Sequence, residues 1–463
     1  MSHSLIWDSS LIARYDRPGP RYTSYPTAIQ FDSHFSEERF RNAIQKSAQT
    51  NKPLSLYFHI PFCDTVCFYC GCNKIVTRHR DRAEPYLELL FKEMAMYAQL
   101  LGYKPRVEQL HLGGGTPTFL NQEQLARLMA EADKHFELVF DQPSDYSIEI
   151  DPREADWAMM GQLRDLGFNR VSLGVQDFDE NVQRAVNRIQ PKAMTESVIE
   201  AARVLNFNSI NIDLIYGLPL QTVDSFLDTV DQTIELAPDR LSVFNYAHLP
   251  HRFMPQRRIR EQDLPSPQEK LRIMELTTQR LIEAGYVHIG MDHFALPDDD
   301  LAVAQAAGVL HRNFQGYTTH GHCDLIAMGV SSISQIGDTF AQNHPDMDNY
   351  TTAVNTGLLP IYRGLQSSRE DQLRAHVIRR LICDFKLNFN DLEAEYGINF
   401  STHFATEIQQ LQEMIEDGLL TIDACGTGLE VQPHGRLLIR NICMVFDQYL
   451  PTTQDQPRFS RII

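Results

Sequence analysis

The feature that most constrains the fold of this 463-residue chain is a regular alternation of strand-like and helix-like segments between about residues 54 and 291. Short runs rich in β-branched and aromatic residues alternate with stretches whose apolar residues recur every three or four positions, the period of an amphipathic helix. This order predicts a parallel α/β sheet, as an open doubly wound sheet or a (β/α) barrel, with ligands at the carboxyl ends of the strands. The predicted strands are Leu54–Phe58, Val107–Leu112, Tyr146–Ile150, Arg170–Val175, Ser209–Ile215, Leu241–Tyr246 and Tyr286–Gly290.

The segments on either side of this region have a different character. The first 50 residues contain turn formers and aromatic residues with little periodicity, and we predict an extended arm there. Near the carboxyl end, three helical patterns and a short two-stranded element resemble a winged helix, a fold that often binds DNA. We therefore predict an N-terminal arm at residues 1–50, a main α/β domain at 51–365 and a small, mostly helical accessory domain at 366–463.

The charge of the chain excludes some classes of partner. Its 60 acidic and 42 basic residues give a formal charge of −18, which disfavours attraction to phosphate backbones and anionic lipids. We therefore expect no nucleic-acid or membrane partner, and we expect the winged element to cap the larger domain. No uncharged apolar run reaches the roughly 18 residues of a membrane helix, and Met1–Pro20 lacks the apolar centre of a signal peptide. A cytoplasmic location is expected.

Half of the eight cysteines, Cys63, Cys67, Cys70 and Cys72, fall within ten residues. Thiols of an unexported chain stay reduced, so a tight group indicates metal or redox chemistry. Three thiolates spaced Cys63-x3-Cys67-x2-Cys70 on one loop can hold three irons of a cubane cluster and leave the fourth iron open to a ligand. The alternative is a structural zinc site with Cys72 as fourth ligand, although the spacing differs from the paired cysteines of zinc modules.

Several other residues with binding chemistry follow predicted strands. Gly113-Gly114-Gly115-Thr116-Pro117 follows the second strand, where glycines let a backbone approach a ligand closely and present N–H groups; a plain tight turn is the alternative. Glu149 ends the third strand and can accept hydrogen bonds from an ammonium group or ribose hydroxyls, or form a surface salt bridge. Arg188 can pair with a carboxylate in a bidentate manner, and Asp213 can bind an ammonium group or a ribose diol.

The cysteine spacing directly after the first strand resembles the radical S-adenosylmethionine (SAM) enzymes. Further motifs, from the Tyr22–Thr27 arm to about residue 340, resemble one family of that class, the oxygen-independent coproporphyrinogen III oxidases. This resemblance implies a partial parallel (β/α) radical SAM barrel, and it makes residues 51–365 the catalytic domain. The motifs are Tyr57-Phe58-His59-Ile60-Pro61-Phe62-Cys63, Cys70-Gly71-Cys72-Asn73-Lys74, His111-Leu112-Gly113-Gly114-Gly115-Thr116-Pro117-Thr118, Glu149-Ile150-Asp151-Pro152-Arg153-Glu154, Gly174-Val175-Gln176-Asp177, Phe244-Asn245-Tyr246-Ala247-His248 and Asn313-Phe314-Gln315-Gly316-Tyr317.

The resemblance also implies roles for individual residues. Cys63, Cys67 and Cys70 would hold a [4Fe–4S] cluster whose open iron binds SAM, whereas Cys72 would lie outside the ligand set and act near the reacting centre. The glycine-rich stretch would hold the amino end of SAM, and a second SAM molecule would lie beside the first. The implied cofactor contacts are Tyr57, Tyr69, Gly114, Gly115, Thr116, Glu149, Gln176, Arg188, Asp213, Ala247 and Ile333, of which Gln176, Arg188, Asp213 and Ala247 would line the second molecule.

The activity implied by the resemblance is oxidative decarboxylation of coproporphyrinogen III to protoporphyrinogen IX in haem biosynthesis. A 5′-deoxyadenosyl radical would convert the ring A and ring B propionates to vinyl groups, with a flavodoxin-type protein as reductant and the enzyme acting as a monomer. Two alternatives remain at this point: a haem chaperone with the same three cysteines, and a zinc-stabilised interaction protein. Haem chaperones typically lack the equivalent of Cys72 and of the Arg21–Pro26 arm, and this chain has both.

Two further groups of residues have an open interpretation. Four arginines in an otherwise acidic chain can attract the carboxylates of a tetra-anionic porphyrinogen, or can form a solvated loop. The His320-Gly321-His322-Cys323 sequence offers metal ligands, but we interpret it as incidental and leave it outside the predicted sites. The four arginines are Arg252, Arg257, Arg258 and Arg260.

Overall fold

The computed structural model describes residues 5–140 and 144–450, which form two compact units. The larger unit consists of residues 31–280 and 322–366, apart from 141–143. The smaller unit consists of the described parts of 1–30, 281–321 and 367–463. The ends of the predicted first and third domains, residues 1–4 and 451–463, lie outside the described residues.

The larger unit is built on parallel strands that agree with six of the predicted runs to within two residues at each end. These strands are β1 (Leu54–Ile60), β2 (Arg106–Gly114), β3 (Asp145–Ile150), β4 (Arg170–Gln176), β5 (Ser209–Tyr216) and β6 (Arg240–Asn245). They lie side by side in the order of the sequence, each parallel to the next. The helices that follow them are α1 (Ala83–Leu101), α2 (Gln122–His135), α3 (Trp157–Asp165), α4 (Lys192–Val204), α5 (Val223–Glu235) and α6 (Pro267–Glu283).

The predicted seventh strand, Tyr286–Gly290, forms within one residue of its expected bounds, but its pairing is antiparallel and not parallel. Val287–Gly290 belongs to the smaller unit and pairs antiparallel with His293–Ala295. The strand parallel to β1 on its other side is β7 (Asp324–Met328), a five-residue buried run too short to show a period. An antiparallel extension follows, made of β8 (Ile333–Ile336), β9 (Thr339–Asn343) and β10 (Ile361–Gln366), with the helix α7 (Met347–Asn355) between the last two.

Successive side chains of the parallel strands point to opposite faces of the sheet. Along β5, Ile210, Ile212 and Leu214 are fully buried, whereas Asn211 and Asp213 on the other face are half-buried. The strand register aligns such polar residues across the sheet, so that one face carries rows of polar side chains. Two of these rows are Tyr57–His111–Ser147 and Glu149–Ser172–Asn211.

A buried carboxyl group joins α1 to the loop that follows β7. Glu93 is fully buried and accepts hydrogen bonds from the Gly329 N–H at 2.9 Å, the Tyr350 hydroxyl at 2.6 Å and the Asn343 amide at 2.8 Å. Burial raises the pKa of Glu93 to about 7, although these three donors favour its ionised form. The loop after β7 is therefore held by a group that can be neutral or charged near pH 7.

The extended N-terminal arm that we predicted contains two helices. Ser9–Tyr15 lies in the smaller unit, and Glu37–Ala48 lies in the larger one. Each begins at a side-chain cap, Asp8 and Ser36 respectively, whose oxygen accepts a backbone N–H of the first turn. The second helix buries Phe40 and Ile44, one turn apart, and the rest of its surface is polar. Two apolar anchors are too few to give a clear helical period.

The carboxyl-terminal part of the smaller unit has the predicted helices and hairpin. Its three-stranded sheet has Gly428–Val431 between Leu420–Ile422 and a strand that we did not predict, Lys386–Asn388. The third of the predicted helical patterns, at Thr402–Asp417, is divided into three short helices. The helices here are Arg369–Asp384, Phe389–Tyr396, Phe400–His403, Ala405–Gln410, Gln412–Glu416 and Ile439–Val445.

The remaining elements are short. None of the helices in the described residues is long and apolar enough to cross a membrane. The short strands are Phe62–Cys63, Ile75–Val76, Glu137–Leu138, His311–Asn313 and Gly316–Thr318, the remaining α-helices are Glu180–Ala185 and Asp300–Ala306, and the 3₁₀ turns are Ala28–Gln30, Arg80–Arg82, Pro117–Phe119, Pro152–Glu154, Met254–Arg258 and Glu261–Asp263.

Candidate active site

A cavity of about 280 Å³ lies in the larger unit, where the carboxyl ends of the parallel strands meet. Polar side chains from the ends of β3, β4 and β5 line it, together with the loop that follows β1. The structure thus brings together twelve of the fifteen residues predicted for the site. They are Cys63, Cys67, Tyr69, Cys70, Cys72, Gly114, Gly115, Thr116, Glu149, Gln176, Arg188 and Asp213.

The cysteine loop begins at a short parallel pairing of Phe62–Cys63 with Ile75–Val76. Phe62 is buried at the base of the loop, where its ring stacks on Phe119 with centroids 5.2 Å apart. The Thr116 hydroxyl donates to Cys63 Sγ at 3.6 Å. The loop is therefore held at both of its ends, and its thiols line the cavity.

Two arginines flank the sulfur of Cys67. Nη1 of Arg188 lies 3.6 Å from Cys67 Sγ, and Nη2 of Arg153 lies 3.8 Å from it. Both guanidinium groups also donate to Asp151 Oδ2, at 2.8 and 2.7 Å. Burial opposes ionisation of Asp151, but the charges of Arg188 and Arg153 outweigh it and lower the pKa of this carboxyl. The two cations stabilise negative charge on the sulfur.

Arg188 also has an unused hydrogen-bond donor. Its side chain is only 7% exposed, and Nη2 donates to the carbonyl of Gly174. Its Nε is buried and has no hydrogen-bond partner in the part of the chain that the structure describes. A buried donor without a partner is costly, so a ligand that supplies an acceptor would be favoured beside Arg188.

Cys70 and Cys72 lie at the other side of the loop. The Cys72 N–H is directed at Cys70 Sγ, with 3.5 Å between nitrogen and sulfur, and Lys74 Nζ donates to the Cys70 carbonyl at 3.1 Å. A hydrogen bond with the Cys72 thiol and the charge of Lys74 lower the pKa of Cys70 to about 5, against the effect of burial. Cys72 itself is an exposed residue whose side chain lines the cavity. It is therefore accessible to a substrate.

The glycine-rich stretch contributes close packing, because its N–H groups have partners within the protein. Gly114 N–H donates to Glu149 Oε2 at 3.1 Å, Gly115 N–H to the Ile60 carbonyl at 2.8 Å and Thr116 N–H to the Phe62 carbonyl at 2.8 Å. Our expectation that these N–H groups face a ligand is therefore corrected. A Cβ atom on Gly115 would lie 2.7 Å from the Phe62 carbonyl oxygen and 3.0 Å from Cys63 Sγ.

Two carboxyl groups stand on the polar face below the cavity. Glu149 interacts with Gly114 and with His111 Nε2, 3.5 Å away; these contacts outweigh burial and lower its pKa. Asp213 accepts hydrogen bonds from Asn211 at 2.8 Å and Ser172 at 3.1 Å. Burial raises the pKa of Asp213 to about 6, and the charge of Glu149 adds to the effect. Glu149 is therefore an acceptor that stays ionised, whereas Asp213 becomes protonated in mild acid.

The end of β4 has an unusual backbone. A β-bulge lies between Gly174 and Gln176, and Gln176 has φ +71°, in the left-handed region that few non-glycine residues adopt. A Cβ atom on Gly174 would lie 2.8 Å from Gln176 Nε2 and 3.1 Å from Arg188 Nη2. The absence of a side chain at Gly174 therefore leaves room for both side chains to pack against the strand, where they line the cavity.

The other three predicted residues do not line the cavity. Tyr57 lies deeper on β1, where its ring stacks on His111 with centroids 5.7 Å apart and its hydroxyl lies 3.1 Å from His59 Nδ1. Ala247 follows β6, and its carbonyl accepts a hydrogen bond from Gln256, whose amide also donates to the Tyr69 carbonyl. Ile333 is the half-buried first residue of β8.

Several residues that line the cavity were absent from the predicted site. Asp151 and Arg153 belong to a motif that we had recognised, and Lys74 follows the last cysteine of the loop. Their charges were visible in the sequence, but their contacts with Cys67 and Cys70 depend on the fold. The lining residues not predicted are Asp64, Thr65, Lys74, Ile150, Asp151, Arg153, Glu154, Ser172, Gly174, Ile215 and Phe244.

The arginines of the predicted basic cluster are exposed, and two of them lie on aromatic rings in or next to the cysteine loop. Arg258 lies over the Phe68 ring at 5.1 Å, and Arg252 lies over Phe253 at 5.4 Å. The Phe253 ring is close to Gly71, since a Cβ atom on Gly71 would lie 3.1 Å from it. The cluster members Arg252, Arg257, Arg258 and Arg260 are all exposed, and Arg260 is paired with Asp263.

The spacing of the thiols distinguishes a cluster from a single metal ion. In tetrahedral zinc sites with Zn–S bonds of about 2.3 Å, the sulfurs lie roughly 3.8 Å apart. Among the described residues, the four thiols of the loop supply no set of three ligand atoms within 4.8 Å of one another. The thiols therefore do not have the close spacing that the zinc alternative requires.

A separate group of metal-binding side chains lies at the opposite, amino-terminal end of the strands. Glu108, His322 and Cys323 have ligand atoms within 4.8 Å of one another. His322 Nε2 and Glu108 Oε2 are 2.7 Å apart, and Arg106 Nε lies 3.4 Å from the other oxygen of Glu108. The existing contacts occupy the carboxylate, and the group stays outside the candidate active site.

Comparison with known proteins agrees with the geometry. The Radical SAM superfamily matches residues 57–233, and the HemN C-terminal domain matches residues 367–438. The three-cysteine loop at the end of the first strand of a parallel β/α sheet, together with the first of these matches, defines the protein as a radical SAM enzyme.

Individual relatives narrow this class. The chain is 56% identical over 463 residues to the oxygen-independent coproporphyrinogen III oxidase of Pseudomonas aeruginosa, with 100% of both chains covered. It is 50% identical to that of Escherichia coli K12, with 99% of this chain and 98% of the relative covered. The solved structure of coproporphyrinogen III oxidase from Escherichia coli, described as a radical SAM enzyme, matches with a TM-score of 0.91 at 49% identity, covering 96% of this chain and 100% of that one. The chain belongs to the oxygen-independent coproporphyrinogen III oxidase family.

Family membership confirms the predicted fold class, a partial parallel (β/α) radical SAM barrel with a mostly helical C-terminal domain. It confirms that the protein is an oxidoreductase of the radical SAM type. It also implies that a [4Fe–4S] cluster and SAM are the cofactors.

Proposed function

We propose that this protein converts coproporphyrinogen III to protoporphyrinogen IX without oxygen, in haem biosynthesis. The observation that carries this proposal is the single cavity in which three loop cysteines meet the polar ends of β3, β4 and β5, in a chain 56% identical over its whole length to an oxidase of that name. When bound, the cluster and SAM supply the 5′-deoxyadenosyl radical that takes a β-hydrogen from the ring A or ring B propionate.

The thiolates of Cys63, Cys67 and Cys70 are the proposed cluster ligands. All three line the cavity, and the Cys67 and Cys70 sulfurs lie beside cationic groups that stabilise thiolates. The cationic groups beside Cys67 are Arg153 and Arg188, and Asp151 holds both of them in place. These contacts keep positive charge next to a group that carries negative charge when the cluster is bound.

The polar wall of the cavity is the proposed binding surface for SAM. Glu149 is ionised and can accept hydrogen bonds from the ammonium group, and Gly115 and Thr116 line the same part of the cavity beside Cys63. On the opposite part of the wall, the unpartnered Nε of Arg188 suits a carboxylate, and Asp213 suits an ammonium or ribose hydroxyl.

We further propose that this wall holds two SAM molecules. The contacts of the second would be Gln176, Arg188, Asp213 and Ala247. Support comes from the two separate sets of complementary groups, one on β3 and one on β4 and β5. Tyr57, Tyr69 and Ile333 are the other proposed contacts. Tyr69 lines the cavity, whereas Tyr57, Ala247 and Ile333 lie outside its lining. Gln256 donates to both the Ala247 and the Tyr69 carbonyls.

Cys72 is the proposed catalytic residue outside the ligand set, because it is accessible and lines the cavity. The substrate would approach from the side of the exposed arginines, with Arg252 and Arg258 attracting its carboxylates.

We propose a cytoplasmic monomer that receives electrons from a flavodoxin-type protein, consistent with a chain that must keep its thiols reduced. We also propose that the chain has three functional parts: an N-terminal arm at residues 1–50, the catalytic domain at 51–365 and an accessory domain at 366–463.

The test is an anaerobic assay of reconstituted protein with SAM, a reductant, an electron acceptor and coproporphyrinogen III. We expect protoporphyrinogen IX and 5′-deoxyadenosine to form together. Deoxyadenosine without protoporphyrinogen would overturn the substrate assignment, and stoichiometric haem transfer without turnover would establish a chaperone instead.

A parallel measurement tests the ligand assignment. Replacing Cys63, Cys67 or Cys70 by Ser should each remove the brown chromophore, because a cluster with three protein ligands has no spare one. Cys425→Ser, at an exposed cysteine of the smaller unit, is the control and should keep full iron content. A ligand variant that kept all of its iron would contradict the assignment.

A further inference from the structure

The surface next to Cys63 is separated from the cysteine loop by a single strand. The short strand Ile75–Val76 pairs with Phe62–Cys63 in parallel, with Val76 opposite Cys63, and the Thr77 N–H donates to the Cys63 carbonyl at 2.9 Å. Neighbouring strands lie about 4.8 Å apart. Val76 is nevertheless 43% exposed, so the backbone of a proposed cluster ligand lies one strand spacing from an exposed apolar residue.

Exposed cationic residues follow this strand. Between residues 73 and 82 the chain has four cationic side chains and one acidic one, Asp81, although the whole protein carries a charge of −18. Arg80 is already paired with Asp64 and Glu154. Arg78 and Arg82 are exposed and form no salt bridge with any residue in 5–140 or 144–450. We call Val76, Arg78, His79 and Arg82 the Val76 surface.

The cavity is a poor route for an external reductant. During turnover it must hold SAM and admit the substrate, whose proposed approach is from the side of Arg252 and Arg258, which lie over the Phe253 and Phe68 rings. A protein that delivers electrons must therefore approach the cluster from another side, and efficient transfer requires a short separation. The Val76 surface offers such a separation at Cys63.

We propose that the Val76 surface is the docking site of an acidic electron-transfer protein that reduces the cluster. This proposal rests on the proposed function, since only a cluster that must be reduced needs a donor. One electron leaves the reduced cofactor of the donor and reduces the cluster, and no bond or proton is exchanged between the two proteins. The guanidinium groups of Arg78 and Arg82 would face carboxylates of the donor, and Val76 would form the apolar centre.

The character of the surface fits a transient partner. Electron-transfer complexes use small interfaces and dissociate quickly, so one apolar residue within a few charges is sufficient. Charges of opposite sign raise the rate of encounter by about 10- to 1000-fold, and salt suppresses the effect. In a protein that is acidic overall, a local cationic surface also selects where an acidic donor binds.

The double variant Arg78→Glu/Arg82→Glu tests the proposal. Glutamate at position 82 precedes the first turn of α1, where a negative charge is favourable, so the variant should fold. The probe is purified flavodoxin, and the first measurement is its dissociation constant for the reconstituted enzyme by calorimetry at low and high NaCl. We expect the variant to bind about 10-fold more weakly or worse at low salt, and to lose the salt dependence of the unaltered protein.

The second measurement compares two reductants in the formation of 5′-deoxyadenosine. With dithionite, which needs no docking site, the variant should match the unaltered protein within about two-fold. With flavodoxin and its reductase it should be at least about 10-fold slower at limiting flavodoxin. Absence of deoxyadenosine from the unaltered protein with dithionite would overturn the proposed function, whereas loss of the dithionite reaction in the variant alone would overturn the docking proposal.

A matched control makes the same change of charge elsewhere. Arg39 and Lys46 are exposed on the helix Glu37–Ala48, which contacts α1, β8 and β9. Arg39→Glu/Lys46→Glu should bind flavodoxin as the unaltered protein does. Equal weakening by both double variants would overturn the proposal, because it would show an effect of net charge and not of the Val76 surface. Unchanged flavodoxin binding by Arg78→Glu/Arg82→Glu would overturn it as well.

Discussion

Gly115 of the glycine-rich stretch packs directly against the start of the cysteine loop. We expect Gly115→Ala to push these two segments apart. The added Cβ would lie 2.7 Å from the Phe62 carbonyl oxygen, 2.9 Å from the Pro61 carbonyl carbon and 3.0 Å from Cys63 Sγ. The first two atoms belong to the backbone and cannot rotate away. Relief therefore requires the two segments to separate, although the Gly115 and Thr116 N–H groups hold them together.

The cost can be worked from these contacts. Forcing a methyl group into a packed site costs about 1–3 kcal/mol. Weakening the two backbone hydrogen bonds, each worth roughly 0.5–1.5 kcal/mol net, adds to this. We expect Gly115→Ala to lower the free energy of unfolding by about 2–4 kcal/mol. Displacement of Cys63 should also lower the iron content after reconstitution.

Urea unfolding of the apo-protein and iron and sulfide analysis of the reconstituted protein measure the two effects. The matched control is Gly161→Ala in α3, where an added Cβ has no neighbour within 4 Å. Alanine is favoured over glycine inside a helix, so the control should gain about 0.5–1 kcal/mol of stability and keep its iron. Gly115→Ala with unchanged unfolding and full iron content would refute the steric reasoning.

Three further predictions concern other parts of the larger unit. Cys72→Ser should keep the iron–sulfur chromophore but lose turnover; loss of iron would show that Cys72 is a ligand. Arg188→Lys should weaken SAM binding in equilibrium dialysis, because an ammonium group cannot replace the guanidinium contacts to Asp151 and the Gly174 carbonyl; unchanged affinity would exclude a role in SAM binding. Glu93 has a folded pKa raised to about 7, so the unfolded chain ionises first and the free energy of unfolding should fall, by up to about 3 kcal/mol, as pH rises from about 4.5 to 7. Glu93→Gln should remove this decline in urea titrations at several pH values, and an unaltered pH dependence would contradict it.

Much of the fold was predictable because β1 to β6 are short runs rich in β-branched and aromatic residues, and the longer helices repeat their apolar residues every three or four positions. Ile210, Ile212 and Leu214 alternate with Asn211 and Asp213 along β5, and the burial of the structure follows that alternation. The strand β7 was missed because all five of its residues are buried, so it shows no alternation at all. The helix Glu37–Ala48 was missed for the opposite reason, since it buries little apolar surface.

Site residues were predictable from the sequence when their place in the site depends only on the order of the strands. The cysteine spacing and the strand-end carboxylates Glu149 and Asp213 depend only on the order of strands, because parallel strands bring their carboxyl ends to one edge. Asp151 is different: it matters because Arg188, on the segment after the next strand, contacts both its carboxylate and Cys67. Nothing in the local sequence of Asp151 specifies that contact, which depends on the segment after the helix Glu180–Ala185 bringing Arg188 back to the end of β4, where it donates to the Gly174 carbonyl. Residues whose role depends on a partner from another loop therefore require the three-dimensional structure.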